Sequence, residues 1–297
     1  MRLHVTHRTR FTYAEPVKDS FNEVRLKPTS SGGQTCESFH LRILPPANVS
    51  EYIDLYRNCV HLFDVSRAHR ELSITATSIV DTRDTPASPE LDATPAPLSG
   101  MGACARTELC HDFLQSSAYV ETSPELWRLA LDIVQGIPDA WQASLAIMRH
   151  IHREFRYQPD STHVNTRATD ALLTRTGVCQ DFTHVMIGLC RALKIPARYV
   201  SGYLYNGPAD QLKGAQASHA WVEVYIPTFG WCGLDPTNNQ RPDGRYVKIG
   251  AGRDYSDVSP TRGTYRGTTE RTMTVDVLVS TSAPAAISDA TSASVSA

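Results

Sequence analysis

Two periodicities divide the chain. Up to about residue 82, polar and apolar positions alternate in short runs rich in β-branched residues, and the spacing predicts strands over Arg2–Arg8, Glu37–Leu44, Cys59–Val65 and Glu71–Val80. Residues 84–100 lose that alternation and fill with Pro, Ala, Ser and Thr, which reads as a linker or long surface loop. Helical spacing follows. Ser123 stands as an N-cap with Pro124 in the first helical position, and Trp127, Leu129, Ala130, Ile133 and Val134 supply one apolar face. A second helix contains Ala143–Phe155, and residues 169–174 predict a shorter one before Gly177. From Val178 onward, apolar residues recur at Phe182, Val185, Met186, Leu189 and Leu193, about four turns of a helix that Cys179 opens.

Strand patterns then return. Ala197–Tyr205 is bulky on both sides, which suits a central strand with both faces covered. Residues 218–226 and 230–238 alternate or are β-branched and aromatic, and the turn-forming Pro227-Thr228-Phe229-Gly230 between them makes a hairpin. The expected organisation is an α+β protein: a β-rich N-terminal domain over 1–83, a connection over 84–114, a core over 115–280 with the Cys179 helix packed on an antiparallel sheet, and a disordered tail over 281–297.

Composition narrows the function classes. The 297 residues are 41% hydrophobic, enough for real cores, and the net charge of −2 comes with no basic run to argue for nucleic acid. The polar start and the lack of a long apolar stretch argue against a signal peptide or a membrane span, so a cytoplasmic location is the default expectation. Seven irregularly spaced cysteines fit reduced thiols better than a disulfide framework. Cys104, Cys110 and His111 lack a second ligand pair, His150 and His152 point to different helix faces, and no calcium-loop spacing occurs. Neither a metal nor another cofactor is expected.

Cys179 carries the candidate chemistry. A thiol in a first helical turn faces unpaired backbone N–H groups and the positive end of the macrodipole, which favour the thiolate. The same N–H groups include that of Cys179 itself, a candidate oxyanion donor. His219 begins one strand of the hairpin and Asp235 ends the other. If Tyr225 pairs with Trp231, paired residue numbers sum to 456; Asp235 then lies opposite Trp221 and diagonal to His219, roughly 7–8 Å away between Cα atoms. A one-residue slip would put the two on opposite faces. Cys, His and Asp make a candidate nucleophile, proton carrier and orienting carboxylate, although each alone has a structural reading that is more common. Trp221, on the face of His219, and Tyr203, beside Gly202, are candidate substrate-binding residues. Asp181 reads as a first-turn acid favourable to the helix dipole.

The stretches G-V-C-Q-D-F-T-H (177–184), I-P-A-R-Y-V-S-G-Y-L (195–204), S-H-A-W-V-E-V-Y (218–225) and G-W-C-G-L-D-P-T-N (230–238) resemble the core of bacterial transglutaminase-like proteins, a branch of the papain-like cysteine enzymes. H-R-T-R-F-T-Y (7–13), N-E-V-R-L-K-P (22–28) and the strands near Asn58 resemble the N-terminal region that accompanies this core in bacteria. The resemblance implies Cys179 as nucleophile, His219 as base and acid, and Asp235 as its partner. Arg57 departs from the family, which usually has Gly there, in a turn expected to be distant from the catalytic core. The implied activity is cysteine-dependent acyl transfer on a peptide, protein or small amide through a thioester, with hydrolysis slightly favoured over transamidation. The alternative is a non-catalytic binding or scaffold module on the same fold.

Overall fold

The computed structural model describes residues 1–84, 89–159, 161–162, 165–207, 218–268 and 270–281. Five strands come first: β1 (Arg2–Val24), β2 (Gln34–Leu44), β3 (Val49–Ile53), β4 (Cys59–Val65) and β5 (His69–Thr82). They are antiparallel in the order β2-β5-β1-β4-β3. The 23-residue β1 serves two half-sheets, because its register breaks between Thr12 and Val17: the first half pairs with β5 and the second with β4. Apolar side chains from both halves, among them Phe11, Val17, Ile43, Phe63 and Ile74, share one core. At about 1.5–3 kcal/mol for each fully buried large side chain, that shared core is what holds the halves together.

The 84–100 stretch contains more than a surface loop. Residues 85–88 lie outside the described residues, but a short helix at Pro89–Ala93 and a 3-10 turn at Leu98–Arg106 follow, and Leu91, Ala96 and Met101 are buried in the central core. Four longer helices succeed them: α1 (Pro124–Ile133), α2 (Ala140–Glu154), α3 (Ala168–Thr174) and α4 (Cys179–Ala192). Ser123 caps α1 by accepting from the Leu126 N–H at 3.2 Å, with Pro124 in the first position, and Asp139 caps α2 in the same way. A short parallel pair, β6 (Arg156–Tyr157) with β7 (Thr176–Gly177), leads the chain into α4.

The central sheet is antiparallel in the order β10-β9-β8-β11, formed by β8 (Ala197–Leu204), β9 (Ser218–Ile226), β10 (Gly230–Leu234) and β11 (Tyr246–Gly252). Ala220, Val222, Val224 and Ile226 share a core with Phe182, Val185, Met186 and Leu189 of α4, so the helix covers one face of β9. Near the end of α4 the buried Arg191 donates to the carbonyls of Phe113, Gln115, Ala197 and Arg253, tying the helix to three separate parts of the chain.

The chain then returns to the first sheet. β12 (Thr261–Arg266) pairs with the second half of β1 and β13 (Arg271–Ser280) with the first, so that sheet has seven strands and draws on both ends of the chain. Residues 261–280, assigned to the core from sequence, therefore lie in the N-terminal sheet. β13 alternates polar and apolar residues over Thr272–Val277, but alternation does not name a partner strand, and Met273, Val275 and Leu278 stay exposed. The two units meet where Leu3, Val5 and Val80 pack on Tyr203, Val247 and Ile249. The tail expected to be disordered lies, from residue 282 on, outside the described residues. No described helix is long and apolar enough to cross a membrane.

Candidate active site

Cys179 is the first residue of α4 and is half-buried, whereas Cys104, Cys110 and Cys190 are buried. The start of this helix is fixed by Asp181 in its third position, whose Oδ2 accepts from the Val178 N–H at 2.8 Å and from the Thr162 hydroxyl at 2.6 Å. The carboxylate thus reaches back to the residue before the helix, as an acid in that position does in a capping box. Burial raises its pKa, the two hydrogen bonds acting against that rise. Gly177 makes room for it: a Cβ there would stand 2.6 Å from Asp181 Oδ2. The first-turn N–H groups of α4, that of Cys179 among them, point out of the helix start with no intrahelical acceptor of their own.

β9 and β10 pair as Gly230 with Ile226, Trp231 with Tyr225 and Leu234 with Val222, each pair summing to 456. The register puts Asp235, one residue past β10, beside His219. His219 Nε2 donates to Asp235 Oδ2 at 2.8 Å, and both side chains are fully buried. Asp235 has further donors. The Tyr246 hydroxyl (2.7 Å) and the Asn238 amide (2.9 Å) reach Oδ2, and the backbone N–H groups of Thr237 (2.8 Å) and Asn238 (3.2 Å) reach Oδ1. Burial alone would raise this carboxyl, but His219 first, then Tyr246 and Asn238, outweigh it and hold the pKa below the ordinary value. For His219, burial pulls downward while Asp235 and the Cys179 thiol pull upward and win, so the imidazole is raised to about 10 and is cationic at neutral pH. Its Nδ1 is buried and has no full hydrogen bond. Besides Asp235, the side chain that lifts this ring is Cys179.

Trp221 stacks on His219 with ring centroids 6.2 Å apart and meets Tyr246 edge-on at 5.3 Å. It is buried, so it packs the back of the imidazole rather than forming an open wall. Gly202 exists for the same packing. A Cβ there would lie 2.2 Å from the Val247 carbonyl and 2.5 Å from the Trp221 indole, so the close approach that this glycine permits is to Trp221 and not to a substrate backbone. Tyr203 sits elsewhere. It projects from the other face of β8 into the seam between the units, where its hydroxyl meets His7 Nδ1 at 2.9 Å. The structure brings Cys179, His219, Asp235 and Trp221 together and leaves Tyr203 out.

Further along the same face of β9, Glu223 accepts from Arg198 at 2.6 Å and 2.7 Å and from Lys248 at 2.7 Å on each oxygen. Burial would raise this carboxyl and lower the ammonium; the two cations prevail at Glu223 and leave it lowered, and burial prevails at Lys248. The Arg198 guanidinium also lies 4.1 Å from the Trp231 ring centroid. The turn carrying Arg57 is not distant from the core as expected. Asn58 donates to the Ala251 carbonyl (2.9 Å) and accepts from the Ala251 N–H (2.8 Å), docking the turn on β11. Arg57 adopts φ 68°, the region that suits the glycine its family usually has there. Among the described residues one group has the make-up of a metal site: Glu51, Cys59 and His61, with ligand atoms within 4.8 Å of one another. Lys27 Nζ lies 3.0 Å from Glu51 Oε2, so an ammonium already neutralises that carboxylate.

Sequence reasoning missed Tyr246, Asn238 and the Glu223 network. Asn238 had a signal, since Asp-Pro-Thr-Asn is a turn in which an Asp side chain collects backbone N–H groups. Tyr246 had none, because it arrives on a different strand.

Residues 3–81 match the model of the bacterial transglutaminase-like N-terminal region, and residues 128–236 match that of the transglutaminase-like superfamily. An uncharacterized protein of Mycobacterium tuberculosis is 37% identical over 295 residues, covering 94% of this chain and 91% of its own length. A protein-glutamine gamma-glutamyltransferase of Pseudomonas aeruginosa is 35% identical over 112 residues, 36% of this chain and 17% of that protein. A crystal structure from Cytophaga hutchinsonii, described as a candidate cysteine protease, superposes with a TM-score of 0.75 at 26% identity, covering 94% of this chain and 90% of that one. The chain belongs to the transglutaminase-like superfamily and carries the N-terminal region of its bacterial members.

Proposed function

We propose that this protein is a cysteine-dependent acyl-transfer enzyme that opens amide bonds through a thioester on Cys179. The observation that carries the reading is a buried imidazole held by Asp235 on one nitrogen, with the thiol at the start of α4 as its other reactive partner. In this reading the Cys179 thiolate attacks the carbonyl carbon, and the oxyanion that forms is met by the Cys179 N–H. The His219 imidazolium then gives its proton to the departing amine as the C–N bond breaks, leaving a thioester and a neutral imidazole. Water follows; the imidazole takes its proton as oxygen bonds to carbon, and the carboxylic acid leaves with the thiolate and imidazolium restored. An amine in place of water would give a new amide instead. Hydrolysis is the outcome favoured here, because the likeness to the candidate protease spans nearly the whole chain and that to the glutamyltransferase about a third of it.

The test is partial alkylation with iodoacetamide near neutral pH, mapped by mass spectrometry, together with product masses from amide substrates with and without an added amine. Cys179 should label much faster than Cys190, and His219→Ala should slow it. Equal labelling of the two, indifferent to His219, would return the chain to the scaffold reading. A product in which the added amine has taken the place of the departing one, its mass shifted by the difference between the two amines, with little free acid, would replace hydrolysis by transamidation.

A further inference from the structure

Many arginines of this protein are partnered: Arg2 with Glu37, Arg25 with Glu23, Arg70 with Glu15, Arg198 with Glu223, Arg245 with Asp243 and Arg253 with Asp257, Arg191 on backbone carbonyls, and Arg271 over the Phe11 and Tyr265 rings. Others are not, and four of those converge. Arg8, Arg10, Arg42 and Arg67 line one concave surface of about 440 Å³ on the first sheet, and among the described residues none of them makes a side-chain hydrogen bond, an ion pair or a ring contact. The sheet register explains their convergence. Thr75 of β5 pairs with Arg8 of β1 on one side and Arg42 of β2 on the other; Ser73, two residues away, pairs with Arg10. Strand spacing then sets the Cα atoms of Arg8 and Arg42 about 10 Å apart and those of Arg8 and Arg10 about 7 Å apart, with the two hydroxyls between them. Arg67 enters from the loop between β4 and β5.

Carboxylates are at hand and are not used. Glu71 lines the same surface, and Asp276 of β13 pairs directly with Arg8 in the register, yet neither forms an ion pair there. Four guanidinium charges against the single carboxylate of the lining leave a net charge of 4 − 1 = +3. Like charges gathered without partners repel, and an anion relieves that repulsion. The volume falls in the range of small-molecule sites.

We propose that this surface binds a small polyanion of the phosphoryl class, with several phosphoryl groups on one molecule and three or more negative charges. A carboxylate is planar and is satisfied by one forked guanidinium, whereas tetrahedral phosphoryl oxygens accept from several directions and can engage guanidiniums arriving from β1, β2 and a loop at once. The site is remote from the chemistry. Arg8 and Arg10 point away from the face on which Leu3 and Val5 pack against Tyr203, so the thickness of the sheet separates the bound anion from β8 and β11.

Titration calorimetry of the full chain with inorganic triphosphate, in 50 mM and 150 mM salt without divalent cations, tests this. One triphosphate should bind per chain, more weakly in the higher salt. Arg67→Gln should weaken it about tenfold and Arg10→Gln/Arg42→Gln about a hundredfold, at about one charge-assisted contact per arginine. Arg70→Gln, outside the surface, should leave affinity unchanged. The double variant should melt no lower than the parent, since it removes repulsion; Arg67 lies outside the strands and keeps the test open if the double variant does not fold. Citrate should bind at least tenfold more weakly. The proposal fails if triphosphate does not bind at millimolar concentration, if the Arg67 and double variants bind as well as the parent, if citrate binds equally, or if only phosphatidylglycerol vesicles bind, which would make the patch a membrane contact.

Discussion

β9 carries two buried ionic groupings on one face, four residues apart, and they are built to different rules. At Glu223 every oxygen and both cations have a partner: two carboxylate oxygens, two cations, and an aromatic ring under Arg198. At His219 one side of the ring is overdetermined, with Asp235 held by five donors, while the other side keeps a buried nitrogen with no full hydrogen bond. Closed networks rigidify a fold. The incomplete one, where Cys179 also acts on the ring, is the grouping on which the proposed chemistry rests, and burial of the closed side would give the open side its direction.

Substitution should separate the two. Asp235→Asn should lower turnover by about 10⁴-fold, the size seen when a triad loses its orienting carboxylate, while slowing Cys179 alkylation much less. Steady-state kinetics and labelling rates measure both. Glu223→Gln should do the reverse. It leaves Lys248 and Arg198 short of a counter-charge and costs about 2–3 kcal/mol in denaturant unfolding, near the lower end for a broken buried pair because the side chains keep 13–20% exposure, while activity per folded molecule persists.

The pH dependence of stability should come from the open grouping. A His219 raised from 6.5 to about 10 favours the folded state fully below pH 6.5, and that contribution fades as pH climbs toward 10. Melting temperature should therefore decline across this window in the parent and decline less in Asp235→Asn. A flat profile in both would mean that the imidazole is not held as a cation. Gly177→Ala should cost about 1–3 kcal/mol and slow Cys179 labelling, because the new Cβ displaces the carboxylate that sets the helix start. The smallest effect is expected at the docked turn. Arg57→Gly should stabilise by about 1 kcal/mol, relieving a left-handed backbone without touching the Asn58 contacts.

The reactive grouping was the more legible of the two in sequence. A thiol at the onset of an apolar helix is a local signal, and a short hairpin with a two-residue side-chain period allows few registers, of which the one that joins His219 to Asp235 is the one observed. Glu223 reads like any polar residue on a strand, because Arg198 and Lys248 reach it from two other strands. Tyr203 misled for a related reason: bulk beside a glycine looks like a cleft, and only the arrival of Leu3, Val5 and His7 shows that the neighbouring space is a seam. The 84–100 stretch looked like a linker by composition, yet single apolar anchors such as Leu91 and Ala96 suffice to bury parts of it. β12 and β13 announce strands at most, never that their partner is the first strand of the chain.

That last pairing has a consequence during synthesis. His4 faces Ser280 across the β1–β13 ladder, so β1 waits for a strand made 276 residues later. At ribosomal speed this is on the order of tens of seconds, during which one side of β1 presents a bare edge. A helper that shields that edge on the ribosome, or a slower passage through the codons between the two strands, would change yield without altering a single contact of the finished molecule.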